Sequence, residues 1–144
     1  MLSEESQGQP SDLGWLLSNL VERVPHTCSA LLLSSDGLKK SFHGLDNDRA
    51  DHLSAIASGL FSLARSAGVH FGSGSGVRQV VAELDDKILF VSAAGSGAVL
   101  AVVADREADA GVLGYEMSLL VKSARPYLTT PMRRPSPNTG VAAG

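Results

Sequence analysis

The residues that could carry out chemistry in this chain are four histidines, one cysteine and a number of serines. None of His26, His43, His52 and His70 shares the i, i+4 or short-loop spacing that metal ligands favour. The lone cysteine leaves no second thiol for a metal site or an intrachain disulfide. We therefore interpret these histidines as ordinary surface or partly buried side chains and predict no metal site.

A nucleophilic serine needs a general base and an orienting acid beside it. The serines and histidines that could be combined with Asp36 are Ser34, Ser35, Ser54, His43 and His52. The chain has neither a Gly-x-Ser-x-Gly elbow nor a Cys/His signature. Cys28 begins a predicted buried strand and is most simply a small apolar residue. The sequence predicts no catalytic residue, and a hydrolase with an unrecognised Ser/His pair remains an alternative hypothesis.

The glycine-rich segment 72–76 (Gly-Ser-Gly-Ser-Gly) invites comparison with a phosphate-binding loop. Such a loop follows a strand, ends in Lys and Ser/Thr, and precedes a helix. Here a helix precedes the segment, a strand follows it, and no lysine is near. We interpret it as a connector and predict no cofactor site and no nucleotide hydrolysis by this chain.

The composition describes one folded domain with a real core. The 144 residues are 44% hydrophobic, 19% charged and only 5% aromatic, with a formal net charge of −3. This balance argues against nucleic-acid binding, and no apolar run reaches the ~20 residues of a membrane span. With no signal-peptide pattern and a single thiol, we expect a cytoplasmic protein. We expect a flexible lead at 1–10, a domain at 11–130 and a disordered tail at 131–144.

The periodicity of apolar residues predicts the element order α-β-β-α-β-β-β-α. The helices are expected at 13–24, 46–69 and 108–128, and the strands at 28–34, 38–43, 77–84, 88–94 and 98–104. Tight turns join the last three strands into an antiparallel meander. The pattern predicts an α+β fold, with a five-stranded antiparallel sheet and helices on both of its faces.

The middle helix is apolar on more sides than one sheet can cover. One predicted face holds Leu53, Ile56, Leu60, Leu63 and Ala67. The other faces carry mostly small residues, with Phe61 as the large exception. Such a helix is usually buried on several sides and lets another backbone come close.

Six stretches of the chain, in this order, resemble the roadblock/dynein light-chain family and its actinobacterial branch. They are 12–17, 30–38, 77–80, 89–95, 100–104 and 114–117, read in the sequence as DLGWLL, ALLLSSDGL, VRQV, LFVSAAG, LAVVA and GYEM. The resemblance covers residues 11–130. Profilin-like and longin-like domains share the layered architecture but not these sequence stretches.

The resemblance implies a dimer in which the middle helix and the following strand form the interface. It implies a cytoplasmic signalling role as a homodimeric, non-enzymatic partner or regulator of a small Ras-like GTPase, with an operon-linked sensor kinase as a further partner. The candidate interface residues are Leu53, Ile56, Ala57, Gly59, Leu60, Phe61, Leu63, Ala64, Val77, Gln79 and Val81. A ligand-sensing domain of the profilin-like or longin-like class is the alternative.

Charged residues at both ends of the middle helix have two interpretations. Asp46, Asp48 and His70 suit a solvated helix start and end, but the charges could also form a polar rim around an apolar partner-binding face. An arginine finger would need an exposed, positioned arginine. Arg49, Arg65 and Arg78 are the candidates for that role, and the sequence does not choose between them.

Overall fold

The computed structural model describes residues 11–34, 36–95 and 97–128, and its elements follow the predicted order. The predicted lead at 1–10 and tail at 131–144 lie outside the described residues. The elements are α1 (Ser11–Arg23), β1 (Thr27–Ser34), β2 (Lys39–His43), α2 (Asn47–Phe71), β3 (Gln79–Glu83), β4 (Lys87–Ala93), β5 (Ala98–Asp105) and α3 (Ala110–Leu128).

The strands form one five-stranded antiparallel sheet in the spatial order β2-β1-β5-β4-β3. The central strands β1 and β5 are continuous apolar runs because both of their faces are covered. Leu31 to Leu33 in β1 and Leu100 to Val102 in β5 have no exposed surface. The two edges of the sheet are β2 and β3, and each has a hydrogen-bonded neighbour on one side only.

Helices cover both faces of the sheet, as the sequence predicts. On one face α1 and α3 pack together, and their buried side chains, Leu17 and Met117 among them, join one core cluster with Leu32 and Leu100. On the other face α2 packs alone, and Phe61 and Ala57 join Leu31 in a second cluster. The sheet therefore separates two cores, one of which is covered by a single helix.

The helix α2 begins at a side-chain cap. The sequence did not predict which of its faces packs on the sheet. Asp46 is the N-cap, and its carboxylate accepts a hydrogen bond of 2.8 Å from the Arg49 backbone N–H. The residues turned toward the sheet are Ala50, Leu53, Ser54, Ala57 and Phe61. The predicted apolar face is therefore divided in the structure: Leu53 is buried against the sheet, whereas Ile56 and Leu63 are exposed. Because α2 carries apolar or small residues on several faces, its periodicity alone does not fix which face turns to the sheet.

The connection from β2 into α2 depends on a glycine. Gly44 has φ of +83°, and a Cβ there would lie 2.5 Å from the carbonyl oxygen of Cys28. The left-handed conformation and the contact both exclude a side chain. Gly44 thus lets the chain pass directly over the start of β1 before α2 begins.

Candidate protein-interaction surface

The outer face of α2 combines large exposed apolar side chains with small residues. Ile56 is 53% exposed and Leu63 is 69% exposed, one helical heptad apart. The exposed small residues around them are Ala55, Gly59, Ser62, Ser66 and Ala67. Large apolar side chains at this exposure are typical of a partner-binding face, and the small ones permit close approach by another helix.

Gly59 stands out because its own chain does not require a glycine. It lies in the middle of α2, its φ is not positive, and a Cβ added there would meet nothing within 4 Å. A glycine in a helix interior costs about 1 kcal/mol relative to alanine. Nothing within the single chain explains this destabilising glycine, whereas a second backbone packed closely against it would.

The edge strand β3 presents its backbone and alternate side chains to the outside. Val80 and Ala82 pack toward α2, while Gln79, Val81 and Glu83 are exposed. Val81 is 48% exposed although it is a β-branched apolar residue. An apolar edge strand of this kind is a template for pairing with another strand.

The opposite edge strand, β2, carries two features that discourage pairing. It has Lys39 and Lys40 at its start, and its register against β1 shifts between Leu32 and Leu33. Edge lysines and bulges are ways in which sheets prevent unwanted pairing. β3 has no lysine, and its register against β4 is regular over its whole length. The two edges therefore differ, and only β3 is suited to accept a further strand.

The predicted interface residues divide into two groups in the structure. Leu53, Ala57 and Phe61 are buried against the chain's own sheet, and Leu60, Ala64 and Val77 are partly buried. Those exposed to a partner are Ile56, Gly59, Leu63, Gln79 and Val81. A substitution at Ala57 would therefore disturb the core, and Gly59 is the better position for probing the surface.

Three further exposed apolar residues lie at the end of α2 and just after β3. Phe71, the last residue of α2, is 91% exposed, Val69 is 59% exposed and Leu84, just after β3, is 53% exposed. Phe71 lies next to His70, with ring centroids 6.4 Å apart. The sequence prediction ended this helix at residue 69, so Phe71 was not assigned to α2.

The three arginine candidates differ in their surroundings. The Arg65 guanidinium lies 5.6 Å from the centre of the Phe61 ring, a cation–π contact with its own helix. Arg49 and Arg78 are exposed, at the start of α2 and just before β3 respectively. Arg65 thus contacts a ring of its own helix, whereas Arg49 and Arg78 are exposed.

A surface cleft of about 380 Å³ lies beside the first half of α2. Its apolar lining includes Leu45, Leu53, Ile56 and Val103. Its polar lining includes Cys28, Arg49, His52 and Lys87. The cleft shares Ile56 with the outer face of α2, so it adjoins the candidate interaction surface.

At the margin of this cleft, Cys28, Lys87 and Asp105 form a network across three strands. The Lys87 ammonium donates to the Asp105 carboxylate at 2.5 Å, and the Cys28 thiol lies 3.5 Å from the same oxygen. Burial, and then the hydrogen bond to Asp105, raises the pKa of the Cys28 thiol. The hydrogen bond from Lys87 lowers the pKa of Asp105, and the same bond raises the pKa of Lys87. Burial and Asp105 therefore disfavour ionisation of the Cys28 thiol.

Two other groups of chemistry-bearing side chains in the described part of the chain have local neighbours, whereas the buried Ser54 hydroxyl has no hydrogen-bond partner there. Side-chain atoms of His26, Asp105 and Glu107 lie within 4.8 Å of one another, but Asp105 already accepts from Lys87. The Ser34 hydroxyl bonds to the carboxylate of Asp36 inside the β1–β2 turn. Ser35 lies outside the described residues.

No helix in the described ranges has the length and apolarity needed to cross a membrane. Comparison with models of known protein families identifies the family of this chain. A family model described as the Roadblock/LC7 domain matches residues 13–104. The chain belongs to the Roadblock/LC7 family. The resemblance identified from the sequence is therefore confirmed.

Solved structures agree with this assignment. A Roadblock/LC7 domain from Streptomyces avermitilis is 70% identical with a TM-score of 0.80, over 81% of this chain and 98% of that chain. MglB from Myxococcus xanthus is 15% identical with a TM-score of 0.74, over 83% of this chain and 97% of that one. Acanthamoeba castellanii profilin is 12% identical with a TM-score of 0.56, over 80% of this roadblock chain and 98% of profilin. MglB and profilin share the fold. The comparison with curated proteins finds no match.

Proposed function

We propose that this roadblock domain is a non-enzymatic, homodimeric platform in the cytoplasm that binds and regulates a small Ras-like GTPase. The observation that carries the proposal is the outer face of α2, where Ile56 and Leu63 are more than half exposed around Gly59. A chain that used α2 only to cover its own sheet would gain nothing from this face.

Self-association through α2 and β3 explains three features together. It covers the exposed apolar side chains of α2 and occupies the unprotected edge of the sheet. It also explains Gly59, because a side chain there would obstruct a closely packed second helix. Antiparallel strand pairing across a two-fold axis is also a closed arrangement. The lysines and the bulge on β2 then direct pairing to β3 alone.

The GTPase client is supported by the family. The resemblance of the sequence to bacterial GTPase-partner proteins implies such a client, and an operon-linked sensor kinase as a second partner. Within this domain, exposed Arg49 and Arg78 could contribute to a polar rim around an apolar contact. The regulatory effect would then come from reshaping the bound GTPase, with no reaction on the roadblock domain itself.

The client is tested by mixing the purified domain with small GTPases encoded beside its gene, in their GDP-bound and GTP-analogue-bound states. We expect co-elution in size-exclusion chromatography with one nucleotide state preferred, and a changed rate of GTP turnover. No complex in either state with any neighbouring GTPase would remove the GTPase part of the proposal. A Leu63→Glu variant, which places a charge on the α2 face assigned to the second copy, tests whether client binding requires the dimer, and Glu22→Gln on the far side of the sheet is its control.

A second candidate function, small-molecule sensing, is favoured by the cleft beside α2. Its apolar lining and the exposed cation Arg49 match an anion that carries an apolar group. A thermal-shift panel of aliphatic and aromatic carboxylates and phosphates tests it. A shift that saturates, and that Arg49→Ala abolishes, would support sensing; a flat panel would reject it.

A further inference from the structure

We propose that His26, Asp105 and Glu107 form a binding site for a divalent transition-metal ion, with zinc as the expected occupant. One ligand atom from each side chain lies within 4.8 Å of the other two. The three residues meet at the end of the sheet where β1 begins and β5 ends. No spacing rule predicts the site, because His26 is far from the two carboxylates in the sequence. The inference goes beyond the proposed self-association and GTPase binding and depends on neither.

The backbone brings the first two ligands together. His26 directly precedes β1, and Asp105 is the last residue of β5. The Asp105 N–H donates a hydrogen bond of 2.8 Å to the His26 carbonyl. This bond continues the pairing of the two strands beyond Thr27 and Ala104. Because the sheet already holds both residues side by side, they lose little conformational freedom when an ion binds.

The third ligand comes from the turn that follows β5. The Ala108 N–H donates to the Asp105 carbonyl at 3.0 Å, which closes a turn over residues 105–108. Within this turn Arg106 reaches toward the β3–β4 connection, where its guanidinium donates to the Asp85 carbonyl at 3.3 Å. The turn thereby places the exposed Glu107 carboxylate beside that of Asp105.

The Asp105 carboxylate is oriented by two neighbours that leave one of its oxygens open. The Lys87 ammonium donates to Oδ1 at 2.5 Å, and the Cys28 thiol lies 3.5 Å from the same atom. Oδ2 carries neither contact and can face an ion. The bond from Lys87 also lowers the pKa of Asp105, so the carboxylate stays ionised. Metal-binding carboxylates are typically hydrogen-bonded in this way by an outer residue.

The backbone of His26 is unusual for a residue with a side chain. Its φ is +70°, and it is the only non-glycine residue with a positive φ in the described part of the chain. Glycine adopts this conformation without strain, so a histidine at this turn indicates a role for its side chain. Among the described residues, neither the His26 imidazole nor the Glu107 carboxylate has a hydrogen-bond or ion-pair partner. Both are therefore available to bind an ion.

The donor set selects the class of ion. One imidazole nitrogen and two carboxylate oxygens suit zinc or a neighbouring transition metal, whereas calcium and magnesium take oxygen ligands. Zinc binds such donors at about 2.0–2.2 Å, so the three ligand atoms must move closer together around it. His26 and Glu107 are exposed, and their side chains can rotate inward while Asp105 stays in place. Three protein ligands leave the fourth position of a tetrahedral ion to water.

Calorimetric titration of zinc into the full chain, without a polyhistidine tag, tests the site. We expect saturable binding of one ion per chain, weakened about tenfold or more by His26→Asn and by Glu107→Gln. Asparagine tolerates a positive φ, so His26→Asn keeps the turn. The matched controls, His70→Asn and Glu22→Gln, change exposed residues outside the cluster and should bind zinc as tightly as the unmodified chain.

Three results of this titration would overturn the site. The first is the absence of saturable binding. The second is binding that His26→Asn and Glu107→Gln leave unchanged, which would show only adventitious surface binding. The third is an equal loss of binding in these variants and in the controls.

Further measurements define the ion and its ligands. Equal concentrations of magnesium or calcium should not displace zinc, and displacement would show that carboxylates alone bind it, without His26. Cobalt in place of zinc should give the absorption of a tetrahedral ion without a thiolate charge-transfer band. Such a band would place Cys28 among the ligands and overturn the assigned set. The solution mass should not rise with zinc, and a rise would place the ion between chains.

Discussion

Replacing Gly59 with alanine should stabilise the single chain and weaken its dimer at the same time. The two effects have opposite signs because they act on different states. A methyl group favours the helix in the isolated chain, while in the dimer it occupies the space that a second backbone needs.

The size of the first effect follows from the local structure. A Cβ at Gly59 meets no atom within 4 Å, and the backbone there is ordinary helix. The substitution therefore gains the full helix preference of alanine, about 1 kcal/mol in the free energy of unfolding. Gly59→Arg retains most of that preference but adds a long charged side chain. It should raise the dimer dissociation constant at least tenfold, which corresponds to about 1.4 kcal/mol.

The assay combines urea unfolding at high dilution, where the chain is monomeric, with sedimentation equilibrium over a range of concentrations. The matched control is Gly114→Ala in α3, because a Cβ at Gly114 also meets nothing within 4 Å. The control should gain similar stability without changing the dissociation constant. If Gly59→Arg dimerises as tightly as the unmodified chain, the outer face of α2 is not the interface.

Three further substitutions test local parts of the fold. Asp46→Ala removes the α2 cap and should lower the free energy of unfolding by about 1 kcal/mol. Asp46→Asn can still cap the helix and should retain most of that stabilisation. Urea titration measures both variants. Gly44→Ala meets the Cys28 carbonyl and a positive φ, so it should cost at least about 1–2 kcal/mol, and a neutral effect would contradict this account of the connection. Asp105→Asn should speed alkylation of Cys28, because the carboxylate helps to raise the thiol pKa, and an unchanged rate would refute that role. The pKa of Asp105 is lowered from 3.8 in the folded chain, so the stability difference between the unmodified chain and Asp105→Asn should be present at neutral pH, begin to fall near 3.8, and be lost as the pH passes below the lowered folded-state pKa.

The order of the elements could be predicted because each one has a strong local signal. The sequence Ser35-Asp36-Gly37 is typical of a tight turn, and Gly37, between β1 and β2, has φ of +93°. Bounds were less predictable where a side chain fixes the end of an element. The helix α3 begins at Ala110, two residues later than expected, because the Asp109 carboxylate accepts from the backbone N–H groups of Gly111 and Val112 at 3.0 and 3.1 Å.

The candidate surface could be predicted only in part. The excess of small and apolar residues on α2 indicated a second covered side, but not which residues lie there. Phe61 was assigned to the remaining faces of α2, yet it is buried in the same core cluster as Ala57. The Cys28–Lys87–Asp105 network joins three strands that are distant in sequence, so no local pattern could reveal it.

Self-association is the central claim, and the mass of the intact chain in solution tests it most directly. Sedimentation equilibrium at micromolar concentrations should give twice the 14.9 kDa of one chain, with dissociation only on dilution. A mass of one chain at every concentration would contradict the account, since the outer face of α2 and the edge of β3 would then both remain uncovered.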